Sequence, residues 1–468
     1  MRIGQTSVIH FLSQVAASVL GFLATLYFAH TLGKSVLGTY FLAIAVLSWL
    51  KIIGDFGIRE SITKRLTEEE GNNGAYLSAG IIMQLILLTT LSCLLILVRN
   101  PLNNYLGFYG TKYIILALIG ILLFSFLLGV LRGQHMVHIT ALLQPVDRSF
   151  RTGLQFCFVA IFGWGISGLL VGHAVASIIT VLVTVTFVSI RLHPPDRQQF
   201  RDLFSYARYS WLGGISGLTL DSMDTIILGF FVATGYIGIY EVSWNLASIL
   251  AVFGLSISQA MFPEMSRLAD TKRETVSKLA NEAFAYTGIL LIPGFIGSLL
   301  IGDSLLAIYG TEFRIGGTIL TILIFARLIY AYASQILNTL NAIDRPDIAF
   351  RINGVFVATN IILNITLIYS YGWIGAATAT SIAAFLTLII SYRAISEQLS
   401  VSIPLKEISR QWIAAIIMGI VLFILQPRLE NTTLWILALI LISSAVYFGV
   451  LYVISSRIRT IVQDNMVY

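Results

Sequence analysis

The chain of 468 residues is 57% hydrophobic and only 11% charged, and its mean hydropathy is +0.86. This composition excludes an ordinary water-soluble globular protein and is typical of a chain that crosses a membrane many times. The formal charge of +6 does not indicate nucleic-acid binding, because the Lys and Arg residues lie in short segments between apolar runs. Cys93 and Cys157 both lie within apolar runs, which argues against a disulfide or a metal site.

Apolar runs long enough to cross a bilayer, about 20 residues each, recur along the whole chain. They predict an all-α polytopic membrane protein with about 14 transmembrane helices. The predicted spans lie near residues 8–29, 37–57, 75–98, 112–131, 138–162, 165–190, 207–231, 238–262, 280–301, 316–338, 349–370, 374–394, 411–426 and 433–455.

The first twelve spans form two similar halves. Residues 37–40 (LGTY) and 237–240 (IGIY) each predict a tight turn between apolar runs, and Gly163-Trp164 and Gly372-Trp373 stand 209 positions apart. Two six-span halves of this kind are typical of transporters whose central cavity opens to either side. We therefore predict three regions, an N-lobe, a C-lobe, and two additional spans with a cytoplasmic tail, at 1–195, 196–400 and 401–468.

The distribution of positive charge predicts the orientation. With the N-terminus inside, the inner segments hold eighteen Lys and Arg residues and the outer segments hold five. This bias predicts a multi-pass protein of the cell (plasma or inner) membrane with both termini in the cytoplasm. Two inner segments, 59–70 and 263–278, mix both charge signs at helical spacing. Each predicts an amphipathic helix at the membrane surface or, as the alternative, a solvated loop.

The fifth predicted span carries a stripe of polar side chains on one helical face. The stripe consists of Gln144, Arg148, Arg151 and Gln155. Two guanidinium groups that face a wet cavity suit a diphosphate, which arginine binds through paired hydrogen bonds. The alternative is a structural ion pair between Asp147 and Arg151, which are four residues apart. We therefore treat the four residues of the stripe as candidate substrate-binding residues.

Other polar residues within spans are weaker signals. Arg327 in the tenth span is a further candidate for substrate binding. Lys51 and Asp55 are four residues apart on the second span, and we expect them to pair. His10 and His173 are single histidines among small residues, which favours packed or hydrogen-bonded roles over proton coupling.

Residues 32–71 resemble the opening signature of the polysaccharide-biosynthesis exporters. These belong to the multidrug/oligosaccharidyl-lipid/polysaccharide (MOP) superfamily, which includes the O-antigen-type flippases. The resemblance is carried by the G-x-Y motif at 38–40, the Asp55-Phe56-Gly57 bend and the charged segment that follows. It implies two pseudo-symmetric six-helix lobes around a central cavity, plus two extra C-terminal helices.

The same resemblance implies a function. It points to translocation of a polyprenyl- or dolichyl-(di)phosphate-linked oligosaccharide from the cytoplasmic to the outer leaflet by alternating access, coupled to a cation or to the membrane potential. The expected partners are this glycan lipid and the membrane lipids, without nucleic acid, and we expect the chain to act as a monomer. The sequence does not indicate which glycan or lipid carrier is moved.

A sodium site is known within this superfamily, formed by an Asp on the seventh span, an i, i+4 pair on the eleventh and a Thr on the twelfth. Asp221, Asn360, Asn364 and Thr380 resemble that set. Carboxylate, amide and hydroxyl oxygens suit a hard cation such as Na⁺. The alternative is interhelical hydrogen bonding between packed membrane helices. Apart from Na⁺, the sequence predicts no cofactor.

Three functional classes compete: a lipid-linked oligosaccharide flippase, a cation-coupled multidrug exporter, and a membrane-embedded polymerase or glycosyltransferase. Multidrug exporters of this superfamily usually rely on acidic cavity residues, and residues 7–28 of the first span contain none. An enzyme would need a substantial outer loop or a carboxylate motif, which the segments near 99–111 and 302–315 lack. We therefore predict a flippase, which is not an enzyme, with the multidrug exporter as the alternative.

Overall fold

The protein is built from α-helices. The computed structural model describes residues 3–68, 72–213, 218–269, 271–426 and 433–459, with side chains from Leu20 onward except at 209, 212 and 213, and these ranges contain no β-strand. Helices α1 to α8 span Ile3–Asp55, Ile58–Thr67, Asn73–Leu97, Arg99–Leu106, Thr111–Gly133, Val137–Phe156, Gly165–Val185 and Arg197–Gly213. Helices α9 to α16 span Asp224–Phe231, Thr234–Leu268, Arg273–Thr287, Leu291–Ala307, Gly317–Ala342, Pro346–Ser396, Leu405–Leu425 and Thr433–Ile454.

Many of these helices are long and apolar enough to cross a bilayer. Ten helical segments within the described ranges meet both conditions, which confirms the predicted all-α polytopic membrane protein. Helix α6 is not among the ten, because it carries the three charged residues Asp147, Arg148 and Arg151. Residues 214–217 of the seventh predicted span, and the predicted cytoplasmic tail beyond residue 459, lie outside the described residues.

Gly33, Gly163 and Gly372 have positive φ, and each separates two neighbouring predicted spans. Gly33 (φ 76°) breaks α1 between the first two spans, and Gly372 (φ 58°) breaks α14 between the eleventh and twelfth. Gly163 (φ 66°) lies between the π-helical turn Cys157–Ile161 that follows α6 and the start of α7. Only glycine adopts such φ values without steric strain. The Gly-Trp pairs at 163 and 372 therefore mark equivalent breaks, as the sequence repeat predicts.

The prediction of tight turns at 37–40 and 237–240 is wrong. Gly38 lies inside α1 and Gly238 inside α10, and the chain bends instead at Gly33 and at residues 232–233. The two glycines permit a close helix crossing: a Cβ on Gly38 would overlap the carbonyl of Thr234, and one on Gly238 would overlap that of Lys34. Small residues allow membrane helices to pack backbone against backbone.

The bend predicted at Asp55-Phe56-Gly57 is present. Phe56 (φ 42°) and Gly57 (φ 76°) both adopt the left-handed conformation, so α1 ends at Asp55 and α2 begins at Ile58 in a new direction. Helix α2 buries Ile58, Ser61, Ile62 and Leu66 and exposes or half-buries its charged residues. This confirms the amphipathic helix predicted from the segment 59–70, of which residues 69–70 lie outside the described residues.

Helix α8 packs against this corner. The Ser61 hydroxyl donates to the Leu203 carbonyl at 2.9 Å, and the Trp211 indole N–H donates to the Ile52 carbonyl at 2.9 Å. The Phe56 ring stacks on Phe204 with 6.0 Å between ring centroids. These contacts fix α2, and with it Arg59, against the ends of α1 and α8.

The prediction of a single surface helix over residues 263–278 is wrong, because the segment is divided between two helices. Helix α10 continues through Pro263 to Leu268, and a separate helix, α11, begins at Arg273. The charged residues of this segment therefore belong to the end of one long helix and the start of another, with residue 270 outside the described ranges.

The contacts of the chain divide it into two compact units, Met1–Gly238 and Ile239–Tyr468. The first unit contains α1 to α9 and the start of α10, and the second contains the rest. The predicted lobes, with a boundary between residues 195 and 196, stay a prediction.

Candidate functional site

A cavity of about 250 Å³ lies within the first unit. Helices α1, α2, α5, α6 and α7 all contribute side chains to its wall. The polar lining residues are Lys51, Arg59, Ser125, Arg132, Gln144, Asp147, Arg148, Arg151 and Ser177. Five of these side chains are cationic and one is a carboxylate, so the cavity concentrates positive potential.

Helix α6 supplies the polar stripe that the sequence predicts. Gln144, Arg148 and Arg151, at spacings of four and three, all line the cavity. Gln155 does not line it: its amide donates to the Tyr40 hydroxyl at 2.8 Å and to the Leu169 carbonyl at 2.9 Å. Gln155 therefore links α6 to α1 and α7, and the structure separates it from the other three.

Asp147 and Arg151 form the predicted ion pair. Asp147 is only 4% exposed, and its second oxygen accepts a hydrogen bond from the Thr180 hydroxyl at 3.3 Å. Lys51 and Arg148 lie near enough to interact electrostatically with the same carboxylate. Arg151 therefore does both things that the sequence suggests as alternatives: it forms an ion pair with Asp147, and it lines the cavity.

Two donors at the cavity have no partner in the part of the chain that the structure describes. They are the Ser125 hydroxyl, in a residue that is 3% exposed, and the Nε of Arg151. Buried polar groups are normally hydrogen-bonded. These two residues therefore have hydrogen-bonding capacity that the described part of the chain does not use.

Sequence reasoning missed Lys51, Arg59 and Arg132 as cavity residues. Lys51 was expected to pair with Asp55, and it does lie within electrostatic reach of Asp55, but it also lines the cavity. Arg59 and Arg132 lie at predicted cytoplasmic ends of helices, where the positive-inside rule already accounts for them. No signal in the sequence identifies Arg59 and Arg132, because their place at the cavity depends on how α2 and the end of α5 pack in the folded unit.

Arg59 is held in place by its neighbour. Its Nε and Nη2 donate to the Glu60 carboxylate, with distances between 2.5 and 3.0 Å. This hydrogen bonding raises the pKa of Arg59, so the guanidinium stays cationic over the whole physiological pH range.

Arg327 belongs to the second unit and is not among the cavity residues. Its guanidinium lies over the Trp244 ring, 3.8 Å from the ring centroid, and its Nη2 donates to the Ser248 hydroxyl at 2.7 Å. A cation over an aromatic face is stabilised by the ring quadrupole. These contacts attach α13 to α10 within the second unit.

Three of the four predicted sodium ligands meet in the second unit. The Asn360 amide donates to the Thr380 hydroxyl at 3.2 Å, and the Asn364 amide donates to the Asn360 side-chain oxygen at 3.0 Å. All three residues are at most 1% exposed. Asp221, in the π-helical turn Thr219–Met223, belongs to the first unit and its side chain is exposed.

Comparison with known proteins defines the family. The family model described as "Polysaccharide biosynthesis protein" matches residues 3–269, and the chain belongs to this family. It is 32% identical to a Haloferax volcanii protein named "Probable flippase AglR", over 99% of this chain and 98% of that protein. Another relative from the same organism, "Probable low-salt glycan biosynthesis flippase Agl15", is 28% identical over 96% of this chain and 94% of that protein.

A solved structure shares the fold. The structure titled "Lipid II flippase MurJ, inward closed conformation" aligns with a TM-score of 0.82 at 17% identity, covering 95% of this chain and 98% of that chain. At this identity the similarity shows the fold alone. With the family match, it confirms the predicted resemblance: the chain is a multi-pass membrane transporter of the MOP superfamily, and not an enzyme.

Proposed function

We propose that the protein is a flippase that moves a polyprenyl- or dolichyl-(di)phosphate-linked oligosaccharide from the cytoplasmic to the outer leaflet. In this proposal two six-helix lobes alternate in access around the substrate, two further C-terminal helices bring the number of spans to fourteen, and the chain acts as a monomer. The observation that carries the proposal is the convergence of Lys51, Arg59, Arg132, Arg148 and Arg151 on one cavity.

The chemistry of the cavity favours a phosphorylated ligand. An ionised residue near the centre of a membrane helix costs about 2.5–3.5 kcal/mol on insertion scales, so Arg148 and Arg151 on α6 call for a compensating role. Arginine binds phosphate through two parallel hydrogen bonds, and the unpaired Arg151 Nε and Ser125 hydroxyl supply further donors. A cavity of about 250 Å³ suits a diphosphate more than a whole oligosaccharide.

The predicted orientation agrees with loading from the cytoplasm. Arg59 and Arg132 lie at helix ends that the positive-inside count assigns to the cytoplasmic side. The substrate's diphosphate is anionic, so its outward movement across an inside-negative membrane is favoured by about 2.3 kcal/mol per charge per 100 mV. The membrane potential can therefore drive export directly.

The multidrug exporter is the weaker alternative. A cation-selective exporter needs a cavity that attracts positive charge, whereas this cavity holds five cationic side chains and one carboxylate. Like charges within a few ångströms repel by several kcal/mol at the effective dielectric of protein interiors.

A ligand comparison tests the two alternatives. We expect a polyprenyl diphosphate, added in mixed micelles, to raise the melting temperature of the purified full-length protein, because a ligand that binds only the folded state stabilises it by mass action. A lipophilic phosphonium cation at the same concentration is expected to cause no shift. The reverse pattern would favour the multidrug exporter.

Ion coupling through Na⁺ is a separate proposal. Asn360, Asn364 and Thr380 form a buried, neutral set rich in oxygen. The set can hold a cation if each Asn amide points its oxygen inward. The oxygen and nitrogen of an amide are nearly indistinguishable in shape, so which of them points inward is assigned from the hydrogen bonds. Bound Na⁺ would bias the transport cycle if it binds two conformations unequally. The contribution of Asp221 stays a prediction.

A sodium titration tests this site. At constant ionic strength, Na⁺ is expected to raise the melting temperature by an amount equivalent to about 2.7 kcal/mol at 100 times its Kd. Asn360→Ala should remove the shift, and Asp221→Ala should remove it if that carboxylate takes part. Asn338→Ala, which removes another interhelical amide bond of the second unit, to Ser258 at 2.7 Å, is the matched control and should keep the shift. Identical melting curves across the titration would leave the three residues as packing contacts.

A further inference from the structure

The basic cavity contains an anion of its own. The Asp147 carboxylate is among its lining residues, yet it is 96% buried, since only 4% of the residue is exposed. One of its oxygens accepts from Arg151 Nη2 and the other accepts from the Thr180 hydroxyl. Lys51 and Arg148 both interact with it electrostatically. Asp147 therefore lies where an anionic ligand would be attracted.

The hydrogen bonding of Arg151 is incomplete. In arginine, Nε and Nη2 lie on the same edge and can grip a carboxylate or a phosphate together. Arg59 shows the complete arrangement, because both nitrogens donate to Glu60. At Arg151 only Nη2 is engaged, by Asp147, while Nε is buried with no acceptor in the described part of the chain.

Ser125 provides a second, independent indication of a missing acceptor. It lies on α5, it also lines the cavity, and it is 3% exposed. Its hydroxyl has no hydrogen-bond partner within the described residues. Ser125 and Arg151 both line the cavity, but Ser125 Oγ and Arg151 Nε are shielded from solvent, so a phosphate oxygen accepts from them only after these side chains rotate. Asp147 satisfies neither donor.

We propose that Asp147 is a resident counter-ion that competes with the substrate's phosphate for Arg151. This inference rests on the proposed function, and it identifies Asp147 as the group that sets the affinity of the same cavity for phosphate. When the phosphate enters, Arg151 turns its Nε and Nη2 edge to it; when the phosphate leaves, Asp147 again accepts from Nη2 alone. Transport needs binding that is strong enough for entry and weak enough for release, and the competition keeps the affinity in that range.

The surroundings of Asp147 support this exchange. The charged groups that face the cavity come from α1 (Lys51), α2 (Arg59), α5 (Arg132) and α6 (Arg148) as well as from Arg151. When Arg151 shifts to a phosphate, the carboxylate keeps its bond from Thr180 and the attraction of the remaining cations. The exchange therefore does not leave a buried charge without compensation.

Binding of inorganic pyrophosphate to the purified full-length protein tests the proposal. Asp147→Asn keeps the shape of the side chain and removes its charge. We expect it to bind pyrophosphate about tenfold more tightly than the wild type at constant ionic strength, because a like charge a few ångströms from the ligand is lost. Asp147→Glu, which keeps the charge, should bind close to the wild-type level. Asp147→Ser is a second neutral variant in case the asparagine does not fold.

Asp55→Asn is the matched control. Asp55 is another carboxylate that interacts with Lys51, but it does not line the cavity. Its neutralisation reports the general effect of removing one negative charge from this unit, and we expect a much smaller change in pyrophosphate affinity. An equal gain in Asp55→Asn and Asp147→Asn would overturn the specific role of Asp147, as would unchanged or weaker binding in a folded Asp147→Asn protein.

Two further readouts separate this inference from the proposed function. In a transport assay Asp147→Asn should lower both KM and kcat, since tighter binding slows release; a purely structural pair would not lower KM. The same titration with a polyprenyl diphosphate distinguishes lipid-linked from free diphosphate. Tighter pyrophosphate binding together with no binding of the lipid would support the counter-ion and contradict the flippase. Weaker binding of both ligands would contradict the counter-ion alone.

Discussion

Replacing both Arg148 and Arg151 with alanine is expected to abolish flippase activity. Each arginine lines the cavity, and a hydrogen bond to a charged group contributes about 1.5–3 kcal/mol. The loss of two such interactions corresponds to roughly a hundredfold or greater fall in transport rate, at about 1.4 kcal/mol per factor of ten. The measurement is complementation of a flippase-null strain, with the amount of protein in the membrane determined in parallel.

The single variants need different controls. In Arg151→Ala, Asp147 permanently loses its ion-pair partner and keeps only the Thr180 hydrogen bond and the attraction of Lys51 and Arg148, which lowers the stability of the fold independently of transport. The Asp147→Asn, Arg151→Ala double variant removes that effect and should restore protein levels without restoring transport. Lys at either position should give partial activity, because an ammonium group lacks the planar fork of a guanidinium. Full activity of the Arg148→Ala, Arg151→Ala protein would remove both residues from the mechanism.

Substitution of Gly38 is expected to have the second largest effect. In Gly38→Ala the new Cβ would overlap the Thr234 carbonyl, and in Gly238→Ala it would overlap the Lys34 carbonyl. Neither backbone can move without shifting a helix, so each variant should lose about 1–3 kcal/mol or more of stability. The measurement is the melting temperature of the purified protein, together with its yield.

Gly21→Ala is the control for this pair of substitutions. Gly21 lies on the same helix, α1, and a Cβ at this position would meet no atom of the described residues within 4 Å. Alanine is favoured over glycine in a helix by up to about 1 kcal/mol, so Gly21→Ala should leave the melting temperature unchanged or raise it. Equal melting temperatures for Gly38→Ala and Gly21→Ala would contradict the close helix crossing.

Local signals in the sequence predict much of the fold. Apolar runs define the helices, and Gly163 and Gly372 mark breaks because their positive φ is a local backbone property. The prediction of turns at Gly38 and Gly238 was wrong for a physical reason. A glycine in an apolar run is compatible with a turn or with a helix crossing, and the partner backbone that decides between them is about 200 residues away in the sequence.

The residues of the candidate site also fall into those that local sequence signals predict and those that depend on distant packing. Gln144, Arg148 and Arg151 could be predicted because helical spacing alone puts them on one face of α6. Arg59 and Arg132 could not, since their contribution depends on how α2 and α5 pack beside α6. Gln155 shares the spacing of the stripe, but its amide is engaged by Tyr40 and Leu169, which no periodicity reveals.

The most direct test of the central claim is a flipping assay with the purified full-length protein in liposomes. The substrate is a fluorescent polyprenyl diphosphate oligosaccharide, and its movement between leaflets is followed by quenching from one side. We expect the wild type and Gly21→Ala to move the lipid at equal rates, and the Arg148→Ala, Arg151→Ala protein to fall to the rate of protein-free liposomes. Equal rates in wild-type and protein-free liposomes, or in the wild type and the double arginine variant, would contradict the account.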